Sequence, residues 1–445
     1  MMNLHDGYVV DVPYPTFVHR QAMPTWLNMV VQQQGIQAPD LKRPFRYLEL
    51  GCAMGIHLHL TAAAHPQGHF VGVDFNAQQL LVAQEGIERT RISNIKLIHA
   101  SFSELLTQQL EPFDFIVTHG VWSWIAQEHQ QAIVQLVSQL LKPNGIFYCS
   151  YMSHPGATHF TSVQKLMLEM SQHLIGDSAS KATQTVHFAR RLAQTQRGLF
   201  EKVPSLADDL TALAQDKPSY IAHDFLSQHW QPQHSADMIR LMAQQGLAFI
   251  AGAGVIENID VLEFSPEVRR MLDQLPVLTL RETSKDILRN TLQRQDVYVK
   301  KAQKLNQAQR SAYYDQQLFC LTPQAPVGQS LAQDEKLGQL HDLVPLFEQV
   351  LSSLSQHAMS TQQLLKRSKL KISAQQFSEI LMVMVWAGYI HPCAAHQHLE
   401  MTAKMNMWMH EQALPWRVIP ECATAISLSS SKILSKPQQH RLFRI

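Results

Sequence analysis

With 445 residues, 45% of them hydrophobic, the chain is long enough for two or three domains, and its formal charge of +1 excludes the overall basic field of a nucleic-acid-binding protein. Five scattered cysteines without a CxxC pair exclude a disulfide framework and predict reduced thiols and no metal site. Neither an apolar run of about 18 residues nor a signal-peptide segment occurs, so we expect a cytoplasmic protein without a membrane span.

The N-terminal part of the chain leads to a strand, a glycine-bearing turn and a helix. Residues 1–15 are predicted to be extended and residues 17–34 to be helical. An apolar strand then ends at Leu50, a turn runs from Gly51 to Gly55, and a helix is predicted over residues 56–64. The next strand, residues 69–74, ends in the carboxylate of Asp74. A unit of this kind binds an adenosine-bearing cofactor at the carboxyl ends of parallel strands.

The spacing of the turn discriminates between cofactors. A dinucleotide-binding turn reads Gly-x-Gly-x-x-Gly, whereas this one has Glu49, Gly51 and Gly55 with Cys52 and Ala53 between the glycines. That pattern resembles motif I of class I S-adenosylmethionine-dependent methyltransferases, with Ala53 in place of the middle glycine. An NAD-binding or cofactor-free Rossmann-like unit remains the alternative at this point.

Strands and helices continue to alternate up to about residue 155. Helices are predicted over residues 77–89 and 127–141, and strands over 95–99, 113–118 and 146–151. This spacing predicts an α/β fold with a Rossmann-like parallel sheet and helices on both faces. The residues from Lys142 to Gly145 suit a turn before the last of these strands.

The alternation of strands and helices ends near residue 155. Residues 156–321 are predicted to form a mostly helical middle domain after a catalytic domain of residues 1–155. Residues 322–338 look like a linker, and three helices in residues 339–445 resemble a winged-helix-like module. Its third helix is mostly apolar, and the small basic run at residues 366–371 is interpreted as a solvated loop, so no nucleic-acid partner is expected.

Three further stretches make the resemblance more specific. They are residues 118–125 (THGVWSWI), 150–156 (SYMSHPG) and 220–226 (YIAHDFL). Together they resemble bacterial methyltransferases that carry a methyltransferase regulatory domain, a group that includes the rickettsial outer-membrane-protein B lysine methyltransferases. The resemblance implies S-adenosylmethionine as the cofactor and a lysine of a protein substrate as the methyl acceptor.

The resemblance also implies roles for individual residues. Those expected to bind the cofactor are Tyr14, Glu49, Gly51, Cys52, Ala53, Gly55, Asp74, Phe75, Ser101, Phe102 and His119. Asp74 lies 23 positions after Gly51, where it would accept hydrogen bonds from two ribose hydroxyls. Tyr151, His119 and Trp122 are the catalytic candidates. An aromatic channel would favour the neutral lysine amine, whose ordinary pKa is about 10.4, and His119 would line the cofactor or accept a proton.

Some positions depart from the family pattern. Ser101 stands where many methyltransferases have an acid, and Met152 stands where this group has an asparagine after the tyrosine. These departures keep two alternatives open: a small-molecule methyltransferase, and a non-catalytic S-adenosylmethionine-binding protein. A homodimer is one alternative for the assembly.

Overall fold

A seven-stranded sheet organises the computed structural model, which describes residues 4–332, 334, 337 and 340–427. Three elements precede it in the chain: β1 (Leu4–His5), β2 (Tyr8–Val9) and α1 (Pro24–Gln33). The helix begins later than predicted, because Pro24 takes its first turn, where the missing N–H costs no hydrogen bond. A short 3-10 helix, Arg20–Ala22, comes directly before it.

The first five strands of the sheet alternate with helices, as predicted. In chain order the elements are β3 (Phe45–Leu50), α2 (Ile56–Ala64), β4 (Gly68–Asp74), α3 (Ala77–Thr90), β5 (Ile95–His99), α4 (Phe102–Leu105), β6 (Phe113–Thr118), α5 (Gln127–Leu140) and β7 (Leu141–Met152). These strands are parallel, and β3 is buried along most of its length, which explains its nearly continuous apolar run. The predicted turn at residues 142–145 is a bulge within β7, where Asn144 has a φ of 57°.

The middle of the chain is helical except for two strands. Its elements are α6 (Phe160–Ser171), α7 (Ser178–Ala193), α8 (Leu199–Lys202), α9 (Ser205–Leu213), α10 (Pro218–Phe225), α11 (Ser235–Gln244), β8 (Leu247–Gly252), α12 (Asp260–Glu263), α13 (Pro266–Asp273), α14 (Leu278–Arg289) and β9 (Gln293–Lys300). The sheet order is β5-β4-β3-β6-β7-β9-β8, with β9 antiparallel to both of its neighbours. The sheet is thus completed by strands from beyond residue 155 that the sequence reading did not identify.

The C-terminal region adds two small sheets and five helices. Its elements are α15 (Gln307–Gln316), β10 (Leu318–Leu321), α16 (Val344–Leu354), β11 (Met359–Ser360), α17 (Thr361–Ser368), α18 (Ala374–Ala387), β12 (Ile390–Pro392), α19 (Leu399–Glu411), β13 (Trp416–Ile419) and β14 (Thr424–Ser427). The three helices α16 to α18 occur where they were predicted. Their sheet has the order β11-β10-β12, so its central strand precedes the helices, and the winged-helix interpretation stays a prediction.

Among the described residues, three large apolar cores and one small cluster around Ile419 and Cys422 hold these elements together. One lies between a face of the sheet, α1, α2 and the C-terminal region, so these parts of the chain share one core. A second packs α5 and α11 on the opposite face, and a third joins α6, α7, α9 and α10 to β2. None of the helices described here has both the length and the apolar character needed to cross a membrane.

Candidate active site

A cavity opens at the carboxyl-terminal edge of the parallel strands. The segments that follow β3, β4, β5 and β6 all contribute to its wall, and residues from the N-terminal segment and from α5 complete it. In a doubly wound sheet this edge is where ligands bind, because the strand ends and the helix N-termini converge there. The cavity therefore has the position predicted for a cofactor.

The turn after β3 is shaped by three residues with positive φ angles. Gly51, Ala53 and Gly55 have φ values of 79°, 49° and 68°. A Cβ atom on Gly51 would lie 2.5 Å from a methyl carbon of Val121, so a side chain at that position would push the two strand-end loops apart. Ala53 has the left-handed backbone conformation that ordinarily favours glycine. The turn therefore keeps its shape although alanine replaces the family's middle glycine.

Asp74 joins that turn to the end of β4. Its two carboxylate oxygens accept hydrogen bonds from the backbone N–H groups of Ala53 and Asn76, each at 2.8 Å. Burial raises the pKa of Asp74, and these two hydrogen bonds act in the opposite direction. A carboxylate has about four acceptor positions, so Asp74 retains capacity for hydroxyl donors such as those of a ribose.

Glu49 is a second buried carboxyl group next to the turn. Its Oε2 atom has no hydrogen-bond partner among the described residues, and its side chain is not part of the cavity wall. Burial, and then the nearby charge of Asp74, raise its pKa to about 8. A cationic ligand group arriving near this carboxyl would stabilise its ionised form. Because S-adenosylmethionine is cationic, the orphan oxygen fits that cofactor.

Two half-buried histidines form another part of the site. The ring of His119 stacks on that of His19 with the centroids 3.3 Å apart, and His119 Nδ1 lies 2.7 Å from the hydroxyl of Tyr148. Burial, followed by the neighbouring histidines, lowers the pKa of His119 well below 6.5. This ring is therefore neutral and a weak proton acceptor near neutral pH, which favours a positioning role for it.

Residues 6–19, which we call the strap, cross the cavity. The imidazole N–H of His223 on α10 donates to the carbonyl of Val12 at 2.9 Å, and the N–H of Gln228 donates to the carbonyl of Gly7 at 2.8 Å. The strap thereby brings Tyr8 and Tyr14 into the cavity wall. The middle region therefore holds the strap in place as a lid over the cavity.

The strap, α10 and the loop after β6 together place five aromatic rings at this end of the cavity. We call them the aromatic group: Tyr8, Tyr14, Phe17, Trp124 and Tyr220. The ring of Phe17 lies 5.9 Å from that of Tyr14 and 6.0 Å from that of Tyr220, centroid to centroid. Phe17 is 40% exposed and Tyr14 lines the cavity, so the group reaches from the surface to the interior.

Asp224 on α10 lies beside the aromatic group. It forms a side-chain hydrogen bond with Tyr220, its backbone carbonyl accepts from the indole N–H of Trp124 at 3.1 Å, and its charge raises the pKa values of Tyr8 and Tyr14. Burial, opposed by the Tyr220 hydrogen bond and assisted by the charge of Asp216, raises the pKa of Asp224 to about 7. This carboxyl group can therefore exchange a proton near neutral pH.

The structure places the predicted cofactor residues in two sets. Eight of them line the cavity: Tyr14, Gly51, Ala53, Asp74, Phe75, Ser101, Phe102 and His119. Glu49, Cys52 and Gly55 do not; Gly55 instead caps α2, and Cys52 packs against Gly72. The hydroxyl of Ser101 caps α4 by accepting from the N–H of Glu104 at 3.2 Å.

Two of the three catalytic candidates lie elsewhere, which corrects the sequence reading. Tyr151 and Trp122 are 0% and 1% exposed and belong to the core beneath α5 and α11. The hydroxyl of Tyr151 donates to Asp296 on β9 at 2.6 Å. Tyr151 is paired with Arg294 in the sheet and shares its face, because side chains alternate along a strand, and that face is turned away from the cavity. Neither side chain lines this cavity.

Several wall residues were not singled out from the sequence. Asp6, Tyr8, Ile125 and His129 belong to this set. The strap has no periodic pattern, and His129 reaches the cavity only through the packing of α5, so no local signal marks them. A group of three or more potential metal ligands is absent from the residues that the structure describes.

Comparisons with known proteins agree with this geometry. Residues 41–230 match the family model of a methyltransferase domain, and residues 217–300 match that of a predicted methyltransferase regulatory domain. An uncharacterised protein of Synechocystis is 28% identical over 393 residues, covering 88% of this chain and 77% of that protein. An uncharacterised protein of Rickettsia prowazekii is 27% identical over 219 residues, covering 49% of this chain and 86% of that protein.

A solved structure shares the fold over most of the chain. PKMT2 from Rickettsia typhi in complex with AdoHcy aligns with a TM-score of 0.72 at 18% identity, covering 93% of this chain and 86% of that one. The Rossmann-like sheet, the glycine turn with Asp74 and the two family models lead to one conclusion. Residues 41–300 combine a methyltransferase domain with a predicted methyltransferase regulatory domain, the chain is an S-adenosylmethionine-dependent methyltransferase, and its fold resembles that of PKMT2 from Rickettsia typhi.

Proposed function

We propose that this enzyme methylates lysine side chains of a protein substrate. The observation that carries the proposal is the aromatic group with Asp224 beside it; Tyr8, Tyr14 and Trp124 of this group line the cofactor cavity. Aromatic rings attract an ammonium ion through their faces and also hold its alkyl chain. The name of the rickettsial structure, PKMT2, supports the same acceptor.

The path for the acceptor begins at the surface. Phe17 is 40% exposed, and its ring packs edge-to-face on those of Tyr14 and Tyr220, so these rings must separate to admit a side chain from the surface. A lysine has four methylene groups, which suits a narrow apolar passage to a buried site.

The acceptor amine must lose a proton before it can be methylated. S-adenosylmethionine supplies the methyl group from its sulfonium centre. Asp224 does not itself line the cavity, but with a pKa of about 7 and its place beside the aromatic group it is suited to take the proton from the lysine ammonium and pass it to solvent. Desolvation by the aromatic rings also lowers the pKa of the lysine ammonium. The difference between this pKa and that of the Asp224 carboxyl group therefore becomes smaller.

The experiment is a methyl-transfer assay with labelled S-adenosylmethionine on bacterial extract divided into a dialysed protein fraction and a small-molecule filtrate. Label is expected in the protein fraction, on lysine by mass spectrometry. Label confined to the filtrate would overturn the proposal in favour of a small-molecule methyltransferase. Cofactor binding without transfer to either fraction would favour the non-catalytic alternative.

A pair of variants tests the role of Asp224. Asp224→Asn should keep its affinity for S-adenosylhomocysteine and lose turnover by about a hundredfold or more, the range of general acid–base effects. Asp208→Asn is the matched control, because Asp208 is an exposed aspartate on the nearby α9. If both variants turn over at the parent rate on an identified substrate, another group accepts the proton.

A further inference from the structure

A second cavity lies in the regulatory domain, between β8, β9 and α14. Its volume is about 320 Å³, and it shares no lining residue with the cofactor cavity. The wall contains nine charged side chains, an unusual density for a partly buried site. They are five carboxylates, Glu257, Asp260, Glu282, Asp286 and Asp296, and four cations, Arg281, Lys285, Arg289 and Arg294.

The cations in this wall are already paired with carboxylates. Arg294 contacts Asp286 at 2.7 Å, Asp296 at 2.8 Å and Glu282 at 3.0 Å. Lys285 and Arg281 both contact Asp260, each at 2.7 Å. Arg289 is bonded to Glu263 and to the backbone of Glu257. Little cationic capacity is left for an anionic ligand.

Two hydrogen-bond acceptor atoms in this wall, by contrast, have no donor among the described residues. Asp286 is 2% exposed, and its Oδ2 atom has no hydrogen-bond partner among the described residues. The hydroxyl oxygen of Thr291, also in the wall, is likewise buried without a partner there. A buried acceptor without a donor is costly, and a ligand that brings N–H groups would remove that cost.

Glu257 is the carboxylate without a counter-ion. Its Oε1 atom accepts from the N–H of Gly254 at 3.0 Å, and it forms no ion pair within the described ranges. Burial raises its pKa, while Arg294 and Arg289 offset part of that effect. Gly252 allows the approach of this side chain, because a Cβ atom there would lie 1.8 Å from Oε1 of Glu257.

We propose that this cavity binds a small organic cation, a primary amine or a guanidinium compound, with its charge between Glu257 and Asp286. Five carboxylates against four cations leave the wall with one excess negative charge, which a monocation neutralises. The volume corresponds to roughly ten water molecules at liquid density, room for a ligand of about that number of non-hydrogen atoms. Leu278, which is 44% exposed, and the exposed Gln34 form the entrance.

The test is calorimetric titration of the full chain with agmatine and with putrescine, with succinate as an anion of similar length. The protein is first saturated with S-adenosylhomocysteine, so that an amine cannot occupy the cofactor cavity. Saturable binding of at least one amine, and none of succinate, is the expected result. Absence of amine binding, or equal binding of succinate, would overturn the proposal, as would amine binding that disappears once S-adenosylhomocysteine is present.

Two variants locate the site through the carboxyl group of Glu257. Glu257→Gln removes the unpaired charge, and Gly252→Ala displaces that carboxyl group; each should weaken amine binding about tenfold or more. Glu267→Gln, an exposed glutamate on α13, is the matched control and should bind as the parent does. Both variants must still bind S-adenosylhomocysteine with parent affinity, which shows that they are folded. If they also bind the amines like the parent, the cation lies elsewhere.

Discussion

Glu49→Gln tests the electrostatic account of the cofactor site, because it should stabilise the ligand-free enzyme and weaken its binding of cofactor. The pKa of Glu49 rises from 4.5 to about 8 on folding. At neutral pH the carboxyl group is then ionised in the unfolded chain and protonated in the folded one. A carboxyl pKa raised by folding makes stability fall as pH rises between the two values.

The magnitude follows from that shift. At about 1.4 kcal/mol per pH unit, the interval from 4.5 to pH 7 corresponds to a destabilisation on the order of 3 kcal/mol, which a neutral amide of the same shape would relieve. For a chain of this length the variant should unfold about 3 °C higher at pH 7. The difference should vanish below pH 4.5 and reach its full size above pH 8.

The assay is thermal unfolding of the parent and Glu49→Gln across that pH range, with and without S-adenosylhomocysteine. Glu88→Gln, an exposed glutamate on α3, is the control and should follow the parent. In calorimetry, the affinity for S-adenosylmethionine, whose sulfonium carries the positive charge, should fall about tenfold or more in Glu49→Gln, and its increase toward pH 8 should be lost. A variant that is less stable than the parent at pH 7, or a difference that does not depend on pH, would refute the reasoning.

Three other predictions concern the cofactor turn, the core and the domain boundary. Asp74→Ala should lower cofactor affinity by roughly 1.5–3 kcal/mol in calorimetry, through loss of charge-assisted hydrogen bonds; unchanged affinity would contradict this. Tyr151→Phe should lower the free energy of unfolding in urea by about 1–2 kcal/mol while turnover stays near that of the parent, because its hydroxyl donates to buried Asp296. Limited proteolysis should cut first within residues 322–338; early cleavage in residues 1–150 would place the predicted domain boundary elsewhere.

The alternation of parallel strands and helices along the chain could be predicted from the sequence, because each parallel strand is a short apolar run with a turn at its end. Strand β3 and its glycine turn, and β4 with its terminal aspartate, carry local signals that do not depend on the rest of the chain. Strand β9 was missed for the opposite reason. It contains Arg294 and Asp296, which are buried and compensate each other's charge, and such pairing cannot be seen along the chain.

The catalytic candidates show a further limit of sequence reading. Tyr151 stands at the end of a strand that borders the site, which made it a reasonable candidate, but the antiparallel pairing of β9 with β7 provides an acceptor for its hydroxyl in the core. Conversely, Asp6 and Tyr8 carry no pattern and become wall residues only because the strap is bonded to the middle region. Which side chain faces a cavity depends on contacts between distant segments.

The strap gives the regulatory domain a physical role in the methyltransferase site. His223 and Asp224 are neighbours on α10, and one binds the strap while the other lies beside the aromatic group. A shift of α10 would therefore move the lid of the cavity and the carboxyl group together. Asp296 accepts hydrogen bonds from Tyr151 on β7 and, through Arg294, is joined to Asp286 at the second cavity. Strand β7, whose Tyr148 hydroxyl lies 2.7 Å from Nδ1 of His119 in the cofactor cavity, thus also takes part, through Tyr151, in the hydrogen-bonded network of a separate charged cavity.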